Sequence, residues 1–323
     1  MISRWSQYRR SRFPEDGPAI TSKDQASPQF RKSRERVSEE LDRLIDEFEN
    51  EIPKFSPRYL GHMFSEISLP SLYASFLSLL HNPNNISHES STVGLKIERE
   101  AIAALIQMIG FKSEVSRGHF TSCGTIANLE GALRARNNTN SHPKIAMFLP
   151  RHAHYSWEKI ASILGLSRNN IFWIDLDGEG RMSPEDLNRQ IQIAIKLSYR
   201  PFLVVSVFGS TEFGICDSVH KISNVCKKWK TKNVFMWHHV DAAYGGFFAS
   251  LKSISNSRIL SKGTLQSLRA ISAVDSVTID PHKLGYAPFA AGVFLCRSSA
   301  LYHMPSLNTP YLAKEMDKSG APW

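Results

Sequence analysis

The segment Asp280-Pro281-His282-Lys283 contains the residues of this sequence that are best suited to covalent chemistry. It follows the β-branched run Val274–Ile279 and precedes small residues that lead into the apolar run Gly292–Cys296. This pattern predicts that Lys283 lies on a connection between two strands, where reactive side chains often occur. Partial burial beside His282 would favour the neutral amine, which can attack a carbonyl. Because most lysines are solvated, the prediction depends on the residues that accompany Lys283.

A second candidate is Asp241, which follows the apolar run Val234–Val240 and precedes the small residues Ala242–Gly246. In an open α/β sheet, ligands bind beyond the carboxyl ends of the strands. An acid at a strand end is therefore predicted to face a site, and small residues let a flat ligand approach the backbone. The alternative is an aspartate that caps the next turn and needs no ligand.

The segment Thr121–Leu129 is rich in hydroxyl groups and opens a stretch with helical apolar spacing. Backbone N–H groups at a helix N-terminus and a nearby hydroxyl suit a phosphate dianion. An ordinary Ser/Thr helix cap is an equally good interpretation of the segment alone.

Two histidines, His152 and His154, follow the strand-like run Ile145–Leu149. They alternate along the chain, so they could share one face and bind zinc. The four cysteines have no metal-ligand spacing, which argues against a metal site. Stacking of one histidine on a flat ring is the better interpretation.

In chain order, the phosphate-type segment, the histidine, the strand-end aspartate and the lysine resemble the pyridoxal 5'-phosphate (PLP) enzymes of the aspartate-aminotransferase fold. Within that fold the sequence is most similar to the group II amino-acid decarboxylases, the family of glutamate, aromatic amino-acid and diaminobutyrate decarboxylases. The resemblance runs from about Pro53 to about Leu312. The stretches that carry it are Thr121–Asn128, His154–Ser156, His239–Gly246 and Asp280–Lys283, with further similarity at Asn82–Asn85, from Glu98 onward and at Phe208–Gly214.

The resemblance implies a role for each matching residue. Lys283 would form the internal aldimine, Asp241 would pair with the pyridine nitrogen, and His154 would stack on the ring. Ala243 would pack on the opposite ring face, and Thr211 would reach the ring hydroxyl. The remaining cofactor contacts, most of them at the phosphate, would be Cys123, Gly124, Thr125, Asp280 and His282.

The predicted activity is PLP-dependent decarboxylation of an L-amino acid through a Lys283 Schiff base. Two alternatives stay open: another PLP lyase, for example one that cleaves a phosphorylated amino alcohol or catalyses β-elimination, and a catalytically silent PLP-binding remnant. The substrate is not defined, because the polar segment Asn82–Thr92 could line the substrate side or merely cap the helix from Val93.

The fold class is predicted to be α/β, because strand-like runs alternate with helical patterns. These runs are Ile145–Leu149, Ile171–Ile174, Phe202–Val207, Val234–Val240, Val274–Ile279 and Gly292–Cys296. The resemblance implies the large domain of a PLP-dependent transferase, aspartate aminotransferase-like, with a mainly parallel sheet of the seven-stranded type.

Three regions are expected along the chain: an N-terminal basic arm and helix (1–51), a PLP-binding large domain (52–305) and the start of a catalytic-loop and C-terminal region (306–323). Relatives continue into a small C-terminal domain that is expected to be missing, as in a fragment, a split gene product or a decayed copy. In the family a loop after the lysine supplies a proton-donating tyrosine. Tyr311 lies near that region without a firm assignment.

Composition fits a soluble globular protein of 323 residues that is 42% hydrophobic. Neither a membrane span nor a secretory signal is predicted, and four scattered cysteines suggest the cytoplasm. The net charge is +9, with a basic stretch before residue 36 that is expected to be loose and a helix over Val37–Glu51 that is expected to pack. The resemblance implies a homodimer, and a nucleic-acid or membrane-surface partner ranks second.

Overall fold

The computed structural model of the chain describes residues 1–61, 63, 66–139, 142–253 and 259–303. They form two compact units. The smaller consists of Met1–Gly61 and Tyr73–Asn82, and the larger takes in the described residues of His62–Leu72 and Pro83–Trp323. The three regions expected from the sequence stay a prediction, and the last of them, 306–323 with Tyr311, lies outside the described residues.

Serine side chains start several helices. The hydroxyl groups of Ser27, Ser91, Ser183 and Ser261 each accept a hydrogen bond from the backbone N–H three residues later, as an N-cap does. The α-helices are α1 (Ile2–Arg12), α2 (Ser22–Ala26), α3 (Pro28–Phe48), α4 (Leu69–His81), α5 (Thr92–Ile109), α6 (Gly124–Asn137), α7 (Ser156–Ile163), α8 (Pro184–Lys196), α9 (Val219–Lys230), α10 (Lys262–Ala270) and α11 (Ser299–Tyr302). Short 3-10 helices are Arg168–Asn170, Gly245–Leu251 and Ile271–Ala273.

Within the described part of the larger unit, seven strands form one sheet in the order β1-β7-β6-β5-β4-β2-β3. Neighbouring strands run parallel from β3 to β6, and β7 is antiparallel to both β6 and β1. The predicted α/β class with a mainly parallel seven-stranded sheet is confirmed. The strands are β1 (Arg117–Thr121), β2 (Ile145–Pro150), β3 (Ile171–Ile174), β4 (Arg200–Val207), β5 (Trp237–Asp241), β6 (Ser276–Ile279) and β7 (Gly292–Cys296).

Helices cover both faces of the sheet, and alternate residues of one strand serve opposite cores. Met147 and Leu149 of β2 lie in the core that includes Trp157 of α7. Ala146 and Phe148 lie in the opposite core, with residues of α8 and α9. Burial on both faces explains why these strands are continuous apolar runs in the sequence. The carboxyl ends of the parallel strands are thereby held rigidly at one edge.

The N-terminal region is helical, and its apolar residues are largely exposed. Residues 1–35, expected to be loose, contain α1, α2 and the start of α3. The predicted helix at Val37–Glu51 corresponds to the second half of α3, which ends at Phe48, and its apolar face is exposed among the described residues. Leu41, Ile45 and Phe48 are 54%, 61% and 69% exposed. The helical spacing therefore predicted the element, and the packing of its apolar face stays a prediction.

Among the described residues, no helix is both long and apolar enough to cross a membrane.

Candidate active site

The predicted site residues follow strands whose carboxyl ends meet at one edge of the sheet. Asp241 is the last residue of β5, and Lys283 lies between the end of β6 at Ile279 and the start of β7 at Gly292. The predicted position of Lys283 on a strand connection is therefore confirmed. His154 follows β2 and Thr211 follows β4. The topology brings the four segments to the same side of the molecule.

Three N–H groups hold the carboxylate of Asp241, which is 5% exposed. Asn128 Nδ2 donates to Oδ2 at 2.8 Å, and Trp157 Nε1 donates to the same oxygen at 3.1 Å. The backbone N–H of Ala243 donates to Oδ1 at 3.3 Å. All three contacts are donors, so they suit an ionised carboxylate and fix its direction.

A second layer of hydrogen bonds orients Asn128. Its Oδ1 lies 2.9 Å from His239 Nε2, and His239 Nδ1 lies 2.7 Å from Ser276 Oγ. Burial lowers the pKa of His239 to about 4, although the carboxylate of Asp241 opposes that shift. A neutral ring that donates through Nε2 and accepts at Nδ1 satisfies both neighbours. The amide of Asn128 is thus fixed with its NH₂ group toward Asp241.

Sequence reasoning missed Asn128, Trp157, His239 and Ser276 as supports of Asp241, although three of them lie in segments that it singled out. Asn128 and Asp241 are 113 positions apart. Local spacing carries no information about such a pair. Asn128 is buried on the small-residue face of α6, with Ala127 and Gly131, and the apolar spacing of the segment does not mark that face.

Lys283 forms an ion pair with a deeply buried acid. Its Nζ lies 3.0 Å from Oδ2 of Asp280, whose side chain is 2% exposed. Burial raises the pKa of Asp280 to about 6, and the charge of Lys283 opposes the shift. Asp280 Oδ1 has no hydrogen-bond partner among the described residues. The site therefore contains a buried carboxyl group that lacks one of the hydrogen bonds that buried oxygens normally accept.

His282 lies against the same acid. Its Nε2 is 3.5 Å from Asp280 Oδ2, and its Nδ1 accepts the N–H of Ala291 at 3.0 Å. The ring also stacks on Phe289 with a centroid separation of 4.1 Å. Burial lowers the pKa of His282, and the nearby Lys283 lowers it further. The neutral ring links the Lys283 connection to the residues that lead into β7.

His154 lies within electrostatic reach of both main candidates. Burial lowers its pKa, the carboxylate of Asp241 opposes that shift, and the charge of Lys283 adds to it. Its Nδ1 is 2.8 Å from Ser156 Oγ, which fixes the ring at the start of α7. A neutral, oriented imidazole suits stacking on a flat ligand.

The phosphate-type segment meets the same site. Cys123 precedes α6 as its N-cap residue and makes no side-chain cap bond. A Cβ atom at Gly124 would lie 2.7 Å from Asp280 Oδ2 and 3.1 Å from Ala243 Cβ. Thr125 is the next residue of the helix. Only glycine allows the start of α6 to approach Asp280 and Ala243 this closely.

Other predicted residues are less closely tied to the site. The recorded contacts of the described residues do not connect Thr211 with Lys283 or Asp241. His152 Nε2 bonds instead to the buried Asp217 at 3.0 Å. Among the described residues, no group of three or more potential metal ligands occurs. In the polar segment Asn82–Thr92, Asn85 Nδ2 donates to Glu98 at 2.8 Å and Ser91 caps α5.

A mainly parallel α/β sheet with candidate residues at its carboxyl edge defines the fold, and the chain belongs to the pyridoxal-dependent decarboxylases. The family model described as the pyridoxal-dependent decarboxylase conserved domain matches residues 18–321. Membership in the family predicted from the motifs is therefore confirmed.

Individual relatives agree with this assignment. The chain is 28% identical to an L-tyrosine decarboxylase of Enterococcus faecium over 99% of this chain and 64% of the relative. It is 30% identical to an acidic amino acid decarboxylase of Xenopus tropicalis over 80% of this chain and 50% of the relative. The crystal structure of mouse CSAD superimposes with a TM-score of 0.69 and 28% identity, covering 78% of this chain and 52% of that one. The chain thus spans about half to two thirds of the length of these relatives.

Proposed function

We propose that this protein catalyses the PLP-dependent decarboxylation of an L-amino acid. The observation that carries the proposal is the convergence of Lys283, Asp241 and His154 at the carboxyl edge of one parallel sheet. His154 interacts electrostatically with both of the other residues. The relatives include decarboxylases named for tyrosine and for acidic amino acids. We therefore assign the substrate to the L-amino acids as a class.

The residues of the site fit PLP. Glycine at the start of α6 lets the carboxylate of Asp280 lie close to the helix N-terminus, since a Cβ atom there would be 2.7 Å from Asp280 Oδ2. The N-terminal N–H groups of this helix suit a phosphate. The oxygen Oδ1 of Asp280 is buried without a hydrogen-bond partner among the described residues, as expected of an atom that meets a ligand.

Each residue then has a defined task. Lys283 would bind the cofactor aldehyde, and Asp241 would hold a proton at the pyridine nitrogen. His154 and Ala243 would orient opposite ring faces, and Thr211 would lie at the ring hydroxyl. The cofactor, when bound, supplies an electron sink for the bond that breaks at the substrate α-carbon. Gly124 and Thr125 would hold the phosphate with His282 beside it, and Cys123 and Asp280 would be further cofactor contacts.

Burial of the acids is central to this assignment. The side chains of Asp241 and Asp280 are at most 5% exposed. In such surroundings water competes little for the carboxylates, so each charge interacts strongly with its partner. Asp241 is oriented by three N–H groups before any ligand arrives, which avoids reorganisation during the reaction.

A direct experiment tests the proposal. Protein incubated with PLP and reduced with borohydride should carry a pyridoxyl group on the peptide that contains Lys283, and Lys283→Ala should carry none. Carbon dioxide released from 1-¹⁴C-labelled tyrosine, glutamate, aspartate, cysteine sulfinate and diaminobutyrate then identifies the reaction. Modification without carbon dioxide release from any amino acid would point to another PLP lyase or to a silent PLP-binding protein.

We further propose that the chain works as a cytoplasmic homodimer. In α3 the apolar face formed by Val37, Leu41, Leu44, Ile45 and Phe48 is exposed, and a second copy could cover it. Sedimentation equilibrium should give twice the mass of a single chain. The Ile45→Glu variant should sediment with the mass of a single chain. The cysteines Cys123, Cys216, Cys226 and Cys296 are all free, which fits a reducing compartment. Cell fractionation tests that location.

A further inference from the structure

The ion pair of Lys283 with Asp280 lies directly against the start of α6. Asp280 Oδ2 is 3.0 Å from Lys283 Nζ, and both carboxylate oxygens lie within 2.9 Å of the position that a Cβ atom would take at Gly124. The side chain of Asp280 is 2% exposed, whereas that of Lys283 is 20% exposed. The acid thus stands between the amine and the N-terminus of a 14-residue helix.

Other titratable groups lie near this pair. His282 lies 3.5 Å from Asp280 on the same connection, and burial keeps its pKa low. Asp241 at the end of β5 raises the pKa of Asp280, in addition to the larger effect of burial. His154, after β2, faces Lys283 and Asp241. The charge of Lys283 lies close to Asp280 and favours its carboxylate form.

We propose that Asp280 makes the amine of Lys283 reactive only when a phosphate group occupies the start of α6. The inference rests on the proposed function, because it concerns how Lys283 captures its aldehyde. Without phosphate, the carboxylate holds Lys283 as an ammonium ion, which has no lone pair to attack a carbonyl. The pair is therefore a resting state that protects Lys283 from other aldehydes.

Arrival of a phosphate reverses the preference of the pair. A dianion at the start of α6 would lie against Asp280, whose carboxylate oxygens are within 2.9 Å of the Cβ position of Gly124, and its repulsion would raise the free energy of that negative charge. Transfer of one proton from Nζ to Asp280 removes that repulsion. The protonated acid also gains an O–H that can donate to a phosphate oxygen, which would satisfy the unpartnered Oδ1.

The proposed capture balances without any further reagent. Lys283 gives one proton to Asp280, and its lone pair then forms a bond with the aldehyde carbon. The other two hydrogens on nitrogen leave with the aldehyde oxygen as one water molecule, and a C=N bond remains. No oxidant or reductant takes part. The consequence is selectivity: phosphorylated aldehydes activate the lysine that captures them, and unphosphorylated ones do not.

The reactivity of Lys283 in cofactor-free protein tests this inference without any turnover. Reductive methylation with formaldehyde and cyanoborohydride is measured by peptide mass spectrometry at pH 7, with inorganic phosphate or with chloride at equal ionic strength. The exposed Lys262 of the same chain serves as the internal reference. Phosphate should accelerate methylation of Lys283 relative to Lys262 by about tenfold, because a larger share of Lys283 would then carry a lone pair.

Two variants define the role of the acid. Asp280→Asn should methylate quickly at Lys283 without phosphate and should show no acceleration by it. Asp175→Asn, which removes a surface aspartate paired with Arg151 at 2.7 Å, should behave as the unaltered protein. The inference is wrong if phosphate slows or leaves unchanged the methylation of Lys283, if it accelerates Lys262 equally, or if Asp280→Asn responds as the unaltered protein does.

A second measurement needs no variant. Inorganic phosphate should accelerate the capture of pyridoxal, which lacks phosphate, by unaltered Lys283, whereas competition or no effect contradicts the inference. Failure of the proposed function looks different. If borohydride fixes neither pyridoxal nor PLP on Lys283 even at pH 9, both ideas are wrong. If PLP is fixed but phosphate never changes the reactivity of Lys283, only this inference is wrong.

Discussion

Asp241 and Asp280 lie in the same site and are held in opposite ways. Asp241 accepts three N–H groups, one of them from Asn128, whose own direction is set by His239. Asp280 has a lysine on one oxygen and no partner among the described residues on the other. The first arrangement keeps the charge of Asp241 in place. The second allows a ligand to change whether Asp280 carries a proton. The two acids are therefore expected to respond differently to substitution.

Asp241→Asn should leave cofactor capture intact and slow decarboxylation by about a hundredfold or more. The amide oxygen can still accept from Asn128 and Trp157, but a neutral amide does not hold a proton at the pyridine nitrogen. Borohydride-fixed pyridoxyl groups and carbon dioxide release are measured on the same sample. Asp175→Asn is the control at the surface. Equal rates of carbon dioxide release would contradict the role of Asp241.

Gly124→Ala should weaken PLP binding at least about tenfold, because the new Cβ atom would lie 2.7 Å from Asp280 and 3.1 Å from Ala243. Gly178→Ala is the matched control, since no atom lies within 4 Å of a Cβ atom there. Titration of each protein with PLP gives the two dissociation constants. Unchanged affinity in Gly124→Ala would show that the start of α6 does not hold the phosphate.

The site could be predicted where its residues lie together in short stretches of the sequence. The segment around Lys283 and the strand-end position of Asp241 can be recognised from short stretches of sequence. Partners such as Trp157 and Ser276 could not be predicted, because tertiary packing alone brings them to the site. Asp280 was assigned to the cofactor through family resemblance, and its pairing with Lys283 emerged only from the structure.

At the level of elements, the degree of burial determines which strands can be recognised from the sequence pattern. The strands β2 and β7 are fully buried and stand out as apolar runs. By contrast β1, Arg117–Thr121, was missed because its residues are mixed and only His119 is buried. The antiparallel direction of β7 also escaped prediction, since an apolar run has no direction. Helix α6 is the element that connects these strands to the site, as it supplies both Gly124 and Asn128.

Gly131→Ala should destabilise the larger unit by about 1–3 kcal/mol, although alanine usually strengthens a helix. In α6 the added Cβ atom would lie 2.7 Å from His239 Nδ1, and hydrogen bonds to Asn128 and Ser276 prevent that ring from moving. Gly263→Ala, in α10, is the control, because its Cβ atom would meet nothing closer than 4.0 Å. Urea unfolding should show opposite signs for the two substitutions. A stabilised Gly131→Ala would contradict the packing of α6 on β5.

For the larger unit as a whole, buried neutral histidines determine how its stability changes as the pH falls. Burial lowers the pKa of His119 to about 4, of His238 to about 3 and of His239 to about 4. The unfolded chain binds protons at these positions near pH 6.5, whereas the folded chain does not. The stability that these neutral histidines contribute is therefore fully present above about pH 6.5, and it is lost as the pH falls toward 4. Asp280 opposes this trend, because its raised pKa makes the folded chain bind a proton below about pH 6.

Replacing one of these histidines should make the stability of the fold depend less on pH. His238 is the best choice because it makes no contact with Asp241. Its ring nitrogens contact Ser206 Oγ at 2.8 Å and Ser223 Oγ at 3.1 Å. His238→Gln should lower stability at pH 7.5 and flatten its fall between pH 6.5 and 4.5 by up to about 1.4 kcal/mol per pH unit, the contribution of one proton. Urea midpoints measured across this range test the slope. His142→Gln, at an exposed position, should keep the original slope, and a parallel slope in His238→Gln would mean that this histidine is not held neutral by the fold.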